Sequence, residues 1–341
     1  MTKTLVTGSA GFIGGYVVEE LLDRGHQVVG LDNFSKYGHV ERSFDEEARF
    51  TQIEGDAKDV ELVSSLLEGC DYFIAGAAMI GGITYFHTYA YDLMAENERI
   101  TASAFDAAID AHRNGALRRI LVMSSSMVFE SATQFPSAEG SQLEIPPPES
   151  SYGFQKLATE YFARAAWEQH ELPYVITRPF NCVGIGEGRA SGANEVMSGN
   201  IRLAMSHVLP DLVQKVLKGQ DPLHILGSGN QVRHYTYGGD IAEGLVIALE
   251  HPEAENEDFN ISTDVATTVL ELAEMVWRHI HGEDREFRYV SDPPYPHDVQ
   301  RRIPATEKAE KVLGFKAKTT LEEVLDEVIP WIARQIDAGT I

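Results

Sequence analysis

Residues 7 to 14 read TGSAGFIG, closing the apolar run KTLVT and opening a helical stretch that continues as YVVEELLDRG. Gly8, Gly11 and Gly14 recur at intervals of three in this strand-to-helix turn. Glycine there permits a tight turn, lets the main chain approach a pyrophosphate, and lets helix pack closely on strand. The phosphates then rest on free N–H groups at the helix start. A second apolar run, QVVGLD, ends in Asp32, where a carboxylate accepts both hydroxyls of a dinucleotide ribose. That carboxylate repels a 2′-phosphate, so the expected cofactor is NAD rather than NADP. Its binding face is expected to comprise Gly8, Gly11, Phe12, Ile13 and Gly14, then Asp32 and Asn33, then Asp56, Ala57 and Ala77 at the ends of the next strands. Taken singly, Asp56 in IEGD reads equally well as a turn residue.

Outward from this turn, short apolar runs alternate with longer amphipathic stretches, the pattern of βαβ units and a parallel sheet. Further strands are expected at FTQIEGD, DYFIAGA, RRILVMS and PYVITRP. Long helices are expected at DLMAENERITASAFDAAIDAHRNG, stopped by Gly115, and at YGFQKLATEYFARAAWEQH. The expected fold class is therefore α/β, a Rossmann-type doubly wound parallel sheet with a smaller C-terminal α/β substrate lobe. Residues 1–180 are assigned to the NAD-binding domain, with segments near 232–262 returning to it, and 181–341 mainly to the substrate lobe. In that lobe the rhythm breaks into Gly-rich loops, with helices at VLPDLVQKVLKG and TVLELAEMVWRHI. Thr320 and Glu323 have the spacing of a capping box at the head of a last helix.

Composition narrows the partners. With 28 basic against 52 acidic side chains the net charge is −24, which opposes binding to nucleic acid or anionic membrane. An anionic substrate would need a few arginines gathered locally. Cys70 and Cys182 are too few for a disulfide framework, and no Cys/His spacing resembles a metal site. His279 and His281 read as surface residues. No signal stretch and no membrane-spanning apolar run is seen, so a cytoplasmic location is expected.

The stretch YGFQK places Tyr152 and Lys156 on one face of a helix. A tyrosine is a poor base near neutrality because its unperturbed pKa is about 10, but a neighbouring ammonium favours the phenolate. Alone, such a pair also suits a solvated helix face. Upstream, SSSMVFE (124–130) lines up three hydroxyls at the end of RRILVM, with no acid or histidine among them. In this chain order, the glycine turn, Asp32, the serines and the Tyr–Lys pair resemble the extended short-chain dehydrogenase/reductase family, specifically its NAD-dependent nucleotide-sugar epimerases and dehydratases. The resemblance covers nearly the whole chain. RPFNCVG is similar to the family's R-x-F-N-x-x-G, GSGNQVRHYTYGGDIAEG to its G-x-G-x-x-x-R-x-x-x-x-V-x-D, FNIST to its N-I-G segment and KVLGF to its L-G-W ending.

The resemblance implies roles. Ser125, three before Val128, falls at the catalytic hydroxyl, Tyr152 is the base, and Lys156 holds the nicotinamide ribose and lowers the tyrosine pKa. Ser126 and Met127 line the substrate, Asn181 faces its diphosphate, and Arg233 neutralises part of that charge. Arg302, beside Arg301, either replaces an arginine that relatives carry near residue 295 or receives a carboxylate on the sugar. A homodimer is implied through the helices around 92–114 and 151–169.

In the family's 4,6-dehydratases and decarboxylases an Asp or Glu follows the hydroxyl residue within two positions. Here those positions are Ser126 and Met127, neither a general acid at neutral pH. The 3,5-epimerase branch carries cysteine where this chain has Met127, although MIGGITYF faintly resembles that branch. The expected function is an NDP-sugar 4-epimerase acting on UDP-glucose/galactose or a uronic acid such as UDP-glucuronate. Hydride would pass from C4 to bound NAD and return to the other face of a 4-keto sugar. A 4,6-dehydratase, 3,5-epimerase or 4-ketoreductase on the same scaffold stays open, as does a non-enzymatic dinucleotide sensor or scaffold.

The chain also departs from the pattern. Val128, Phe129 and Glu130 stand where the family writes V-Y-G, and the acidic loop ESATQFPSAEGSQLE suggests that Glu130 points outward rather than into the site. His234 replaces an aspartate and reads as structural, and Cys182 as an inert thiol. The loop GIGEGRASGANEVMSGNIRLAMSHVLP fits a cover over the substrate, with Arg189 and Arg202 as candidate phosphate contacts.

Overall fold

Strands β1 (Lys3–Thr7), β2 (Gln27–Asp32), β3 (Phe50–Glu54), β4 (Tyr72–Ala75), β5 (Arg119–Met123) and β6 (Tyr174–Pro179) alternate with helices α1 (Phe12–Asp23), α2 (Val60–Leu67), α3 (Ala90–Arg113) and α4 (Ser151–His170). The second half adds β7 (Cys182–Val183), β8 (Val196–Ser198), β9 (Ile201–Leu203), α5 (Val208–Leu217), β10 (Leu223–Leu226), β11 (Val232–Arg233) and β12 (Thr236–Tyr237). It continues with α6 (Gly238–Glu250), β13 (Glu257–Ile261), β14 (Thr267–Thr268), α7 (Val269–His281), β15 (Tyr289–Asp292) and α8 (Leu321–Asp337). The structure, a computed structural model, describes residues 1–80, 89–115, 117–187, 196–203, 207–294 and 299–341.

Among the described residues, seven parallel strands form one sheet in the order β13-β6-β5-β4-β1-β2-β3. The order reverses between β1 and β4, which makes their C-terminal ends a topological switch point, where open α/β sheets bind ligands. Strands covered on both faces should send successive side chains into two different cores. They do: Leu5, Val29, Phe73, Ile120 and Ile176 join the core under α2, α3 and α4, whereas Val6, Val28, Ile74, Leu121 and Val175 join the one under α1 and α6. This is the Rossmann-type doubly wound fold that the alternating runs predict.

A third apolar cluster unites α5, α7 and α8 around the fully buried Trp277. Helix α8 opens on the expected capping box, with Thr320 Oγ1 accepting from Glu323 N at 3.3 Å and the Glu323 carboxylate accepting from Thr320 N at 2.8 Å. Strand β13 is not among the expected strands. Its sequence EDFNI alternates Phe259 and Ile261, which pack in the core, with Asp258 and Asn260, which bond across to other segments. Asn260 is fully buried and donates to the carbonyls of Ser137 and Ala305 at 3.0 and 3.1 Å. An edge strand so rich in polar groups carries no continuous apolar signal.

Candidate active site

The glycine turn lies at the switch point and has no room for side chains. A Cβ on Gly14 would come within 2.0 Å of the Gly8 carbonyl oxygen, and one on Gly8, at φ +77°, within 2.9 Å of Ala77 N. The N-cap of α1 is Gly11, with no side-chain cap, so the helix start is lined by main-chain N–H groups, as phosphate binding requires. Phe12 is buried in the core and Ile13 packs against it, so only their main chain is left to line the turn. Asp32 accepts from Ala10 N at 3.1 Å through Oδ2 and from Phe34 N at 2.8 Å through Oδ1. Burial pushes its carboxyl up while these N–H groups draw it back. Each oxygen keeps a further lone pair for a ribose hydroxyl. Glycine cradle and carboxylate together fit NAD.

Around them, Asn33 accepts from Ser35 N at 3.1 Å and Asp56 from Lys58 N at 2.9 Å, both closing local turns. Ala57 and Ala77 line a cavity with Thr7, Asn97, Gln155 and Lys156, linking the nucleotide turn to the reacting end.

At that end, helix α4 begins at Ser150, whose Oγ accepts from Gly153 N at 3.0 Å. Glu130 accepts from Ser150 N and Oγ at 3.0 and 2.7 Å. The acidic loop therefore misleads about Glu130, which neither points to open solvent nor waits for a sugar. A carboxylate satisfies the free N–H groups of a helix start, and this one holds α4 in place.

Within the first turn, Tyr152 is buried with Leu93 and Met127. Burial pushes its phenol up, whereas a hydrogen bond with Ser125 and the charge of Arg302 draw it down. Ser125 Oγ also accepts from Met127 N at 3.2 Å, which fixes its rotamer. Lys156 Nζ donates to the Met123 carbonyl at 2.8 Å, and burial pulls its ammonium down to about 8. Of the nearby charges, Arg302 draws the phenol down, while the Lys156 ammonium is bonded to the main chain of β5.

Arg302 Nη1 lies 3.5 Å from Asn181 Oδ1, and Asn181 Nδ2 donates to the His234 carbonyl at 3.4 Å. Asn181 holds a left-handed conformation, φ +37°, which asparagine tolerates better than most residues. Arg233 is buried and donates to the Val232 carbonyl at 2.9 Å. The double arginine splits: Arg302 turns inward, and exposed Arg301 stacks over Phe135 at 4.9 Å. Ser126 and Met127 are both buried beside Ser125. His234 Nδ1 lies 3.0 Å from the Thr263 carbonyl and burial pulls its pKa down, as suits a neutral structural residue. Burial pushes the half-buried Cys182 thiol up, away from thiolate chemistry. Arg189, the Arg202 side chain, residues 81–86 of MIGGITYF and 295–298 of DPPYPHD lie outside the described residues.

Four residues that sequence reasoning missed, Arg178, Glu160, Asp258 and Gln142, lie directly beneath. Arg178 and Glu160 are fully buried, and the guanidinium holds the carboxylate through two bonds of 2.7 and 2.8 Å. Arg178 also donates to Asp258 at 2.6 Å, Gln142 donates to Glu160 at 3.1 Å, and Ser124 Oγ donates to Glu160 at 2.7 Å. The available signals were Glu160, four residues after Lys156 and on its helix face, and an arginine inside the apolar run YVITRP.

Among the described residues, no cluster of His, Cys, Asp and Glu could hold a metal, and no helix is long and apolar enough to cross a membrane. A model of the NAD dependent epimerase/dehydratase family matches residues 4–262. The chain is 27% identical to the low-salt glycan biosynthesis protein Agl12 of Haloferax volcanii, covering 96% of this chain and 97% of that one. It is 26% identical to UDP-glucose 4-epimerase of Lactobacillus helveticus, covering 96% and 94%. Among solved structures, UDP-glucose 4-epimerase of Thermotoga maritima with UDP-glucose superposes with a TM-score of 0.80, at 26% identity, covering 98% of this chain and all of that one.

Proposed function

Because the chain belongs to the NAD dependent epimerase/dehydratase family, its cofactor is NAD, and we propose that it is an NDP-sugar 4-epimerase. The carrying observation is the emptying of the serine loop of acids. Glu130, the nearest carboxylate in sequence, is committed to Ser150 at the helix start, and Ser126 and Met127 fill the positions where a second proton donor would stand. That leaves Tyr152, with Ser125 bonded to it, as the proton-handling pair. When bound, NAD supplies the acceptor and donor of hydride at sugar C4. Tyr152 takes the proton of the 4-hydroxyl, Ser125 steadies the oxygen it leaves, and Lys156 holds the nicotinamide ribose. Once the 4-keto sugar has turned over within the pocket, the same residues would return the proton to its 4-oxygen. Gly8, Gly11, Phe12, Ile13 and Gly14 hold the pyrophosphate through main chain, and Asp32 holds the ribose.

The segment after residue 181 carries the sugar and nucleotide in this reading, with Asn181 and Arg233 toward the diphosphate. The inward turn of Arg302, beside both Tyr152 and Asn181, favours a uronic acid, because a guanidinium beside the reacting sugar pairs well with a carboxylate. A cytoplasmic homodimer completes the proposal. The exposed Tyr91 on α3 and Tyr161 on α4 suit a helix-to-helix contact between subunits.

The test is incubation with UDP-glucose, UDP-galactose and UDP-glucuronate in heavy water. A stereoisomer of unchanged mass, with no deuterium on carbon, is expected. Loss of water would replace this reading by a dehydratase, and deuterium on carbon by epimerisation at C3 or C5. Tyr152→Phe should lower turnover by at least about 10³-fold, as loss of an essential base does, with the far-ultraviolet spectrum unchanged.

A further inference from the structure

The three serines of SSSMVFE face three ways. Ser125 meets Tyr152, Ser126 is buried beside it, and Ser124 turns back under the sheet to Glu160. Ser125 stands on the loop after β5, whereas Tyr152 and Lys156 stand on α4. Their mutual geometry therefore depends on how loop and helix are joined. Two direct joints bridge them just below the reacting groups: Lys156 Nζ to the Met123 carbonyl at 2.8 Å, and Ser124 Oγ to Glu160 Oε1 at 2.7 Å. Glu160 lies two turns along α4 from Tyr152, on the same face.

Glu160 is itself immobilised. Its two oxygens receive Arg178 Nε and Nη2, Ser124 Oγ and Gln142 Nε2, all within 3.1 Å, and Arg164 Nη2 lies 3.6 Å away. Arg178 sits on β6, the sheet neighbour of β5, and is held by Asp258 from β13, which Lys308 grips in turn at 3.1 Å. Three adjacent strands and a helix thus converge on one carboxylate, and that carboxylate holds the residue next to Ser125.

We infer that Ser124 and Glu160 are positioning residues that set the distance between the Ser125 hydroxyl and the Tyr152 phenol. The inference rests on the proposed roles of Ser125 and Tyr152, and it assigns the first serine of the motif a task separate from theirs. Removing the Ser124 hydroxyl takes away one joint between loop and α4, leaving those of Lys156 and Glu130, while its main chain stays bonded, Ser124 N donating to the Thr177 carbonyl at 2.8 Å. The fold should persist and the serine-to-tyrosine hydrogen bond should loosen.

The experiment compares Ser124→Ala with wild type, with Tyr152→Phe, and with Val328→Ala, a core substitution in α8 far from the site. Turnover is read with the UDP-sugar that wild type converts, and the Tyr152 titration by Cζ-labelled tyrosine NMR, assigned with Tyr152→Phe, which needs no substrate. Ser124→Ala is expected to lower kcat about tenfold with KM unchanged, a change worth about 1.4 kcal/mol in the barrier. Its Tyr152 phenol should titrate at higher pH than in wild type. Val328→Ala should lose at least as much thermal stability without either effect. Wild-type kcat or a wild-type Tyr152 titration in Ser124→Ala overturns the inference. An active Tyr152→Phe would instead overturn the proposed function, while the titration would still report whether Ser124 positions Ser125.

Discussion

Helix α4 carries two buried groups of ionisable side chains one turn apart, and they are built in opposite ways. At Glu160 and Arg178 opposite charges meet with nearly every donor and acceptor engaged, so that Asp258 is held below, and Arg178 above, their ordinary pKa ranges. At Tyr152 and Lys156 burial dominates instead, pushing the phenol up and pulling the ammonium down, each toward its neutral form. The first arrangement makes a rigid joint. The second keeps groups poised to exchange a proton at a cost in stability, and the rigid joint is what allows that cost to be carried without loss of geometry.

The largest effect is expected at the joint. Glu160→Gln should cost about 3 kcal/mol of stability, because Arg178 keeps its charge in a buried site and loses one of two anionic partners; urea denaturation would measure it. A cost below about 1 kcal/mol, the scale of a surface pair, would mean that the joint is not rigid.

The opposite sign is expected one turn earlier. Lys156→Met should abolish turnover and yet stabilise the protein at pH 7 by about 2 kcal/mol, since a shift from 10.5 to about 8 marks a buried ammonium held against its preference. The unfolded chain binds more protons than the folded one between pH 8 and 10.5, so wild-type stability rises with pH across that window. The gap between variant and wild type should therefore close by pH 10. A gap independent of pH would refute the assignment of the cost to charge.

Arg302→Ala sharpens the contrast more gently. With that charge gone, the Tyr152 phenol titrates higher, and the rising limb of the kcat/KM profile should move to more alkaline pH. An unmoved profile would leave Arg302 with a role in substrate binding alone. Smallest of all, Thr320→Ala at the exposed capping box of α8 should cost about 1 kcal/mol in thermal unfolding and nothing in turnover.

Most of the nucleotide end was legible in sequence because its determinants are local. Three glycines, the strand before them, the helix after them and Asp32 at the end of the next strand lie within 30 consecutive residues, 3 to 32. Helix α4 and its Tyr–Lys pair were legible for the same reason, since residues four apart share a face whatever the rest of the chain does. Strand β13 was not, because half its side chains are polar and become core only through Arg178, Ser137 and Ala305, which lie far off in the chain. Glu130 was misread because an acidic loop reads as solvated until the helix start it caps is brought beside it.

Local patterns along the chain thus settle the doubly wound fold and supply, in order, the glycine turn, carboxylate, hydroxyl, phenol and ammonium on which the proposed site draws. Folding alone shows which of two arginines turns inward and which of three serines bonds to Glu160. Each of these depends on contacts between segments far apart in sequence, where burial and distance set the interaction, and neither quantity can be read from spacing along a chain.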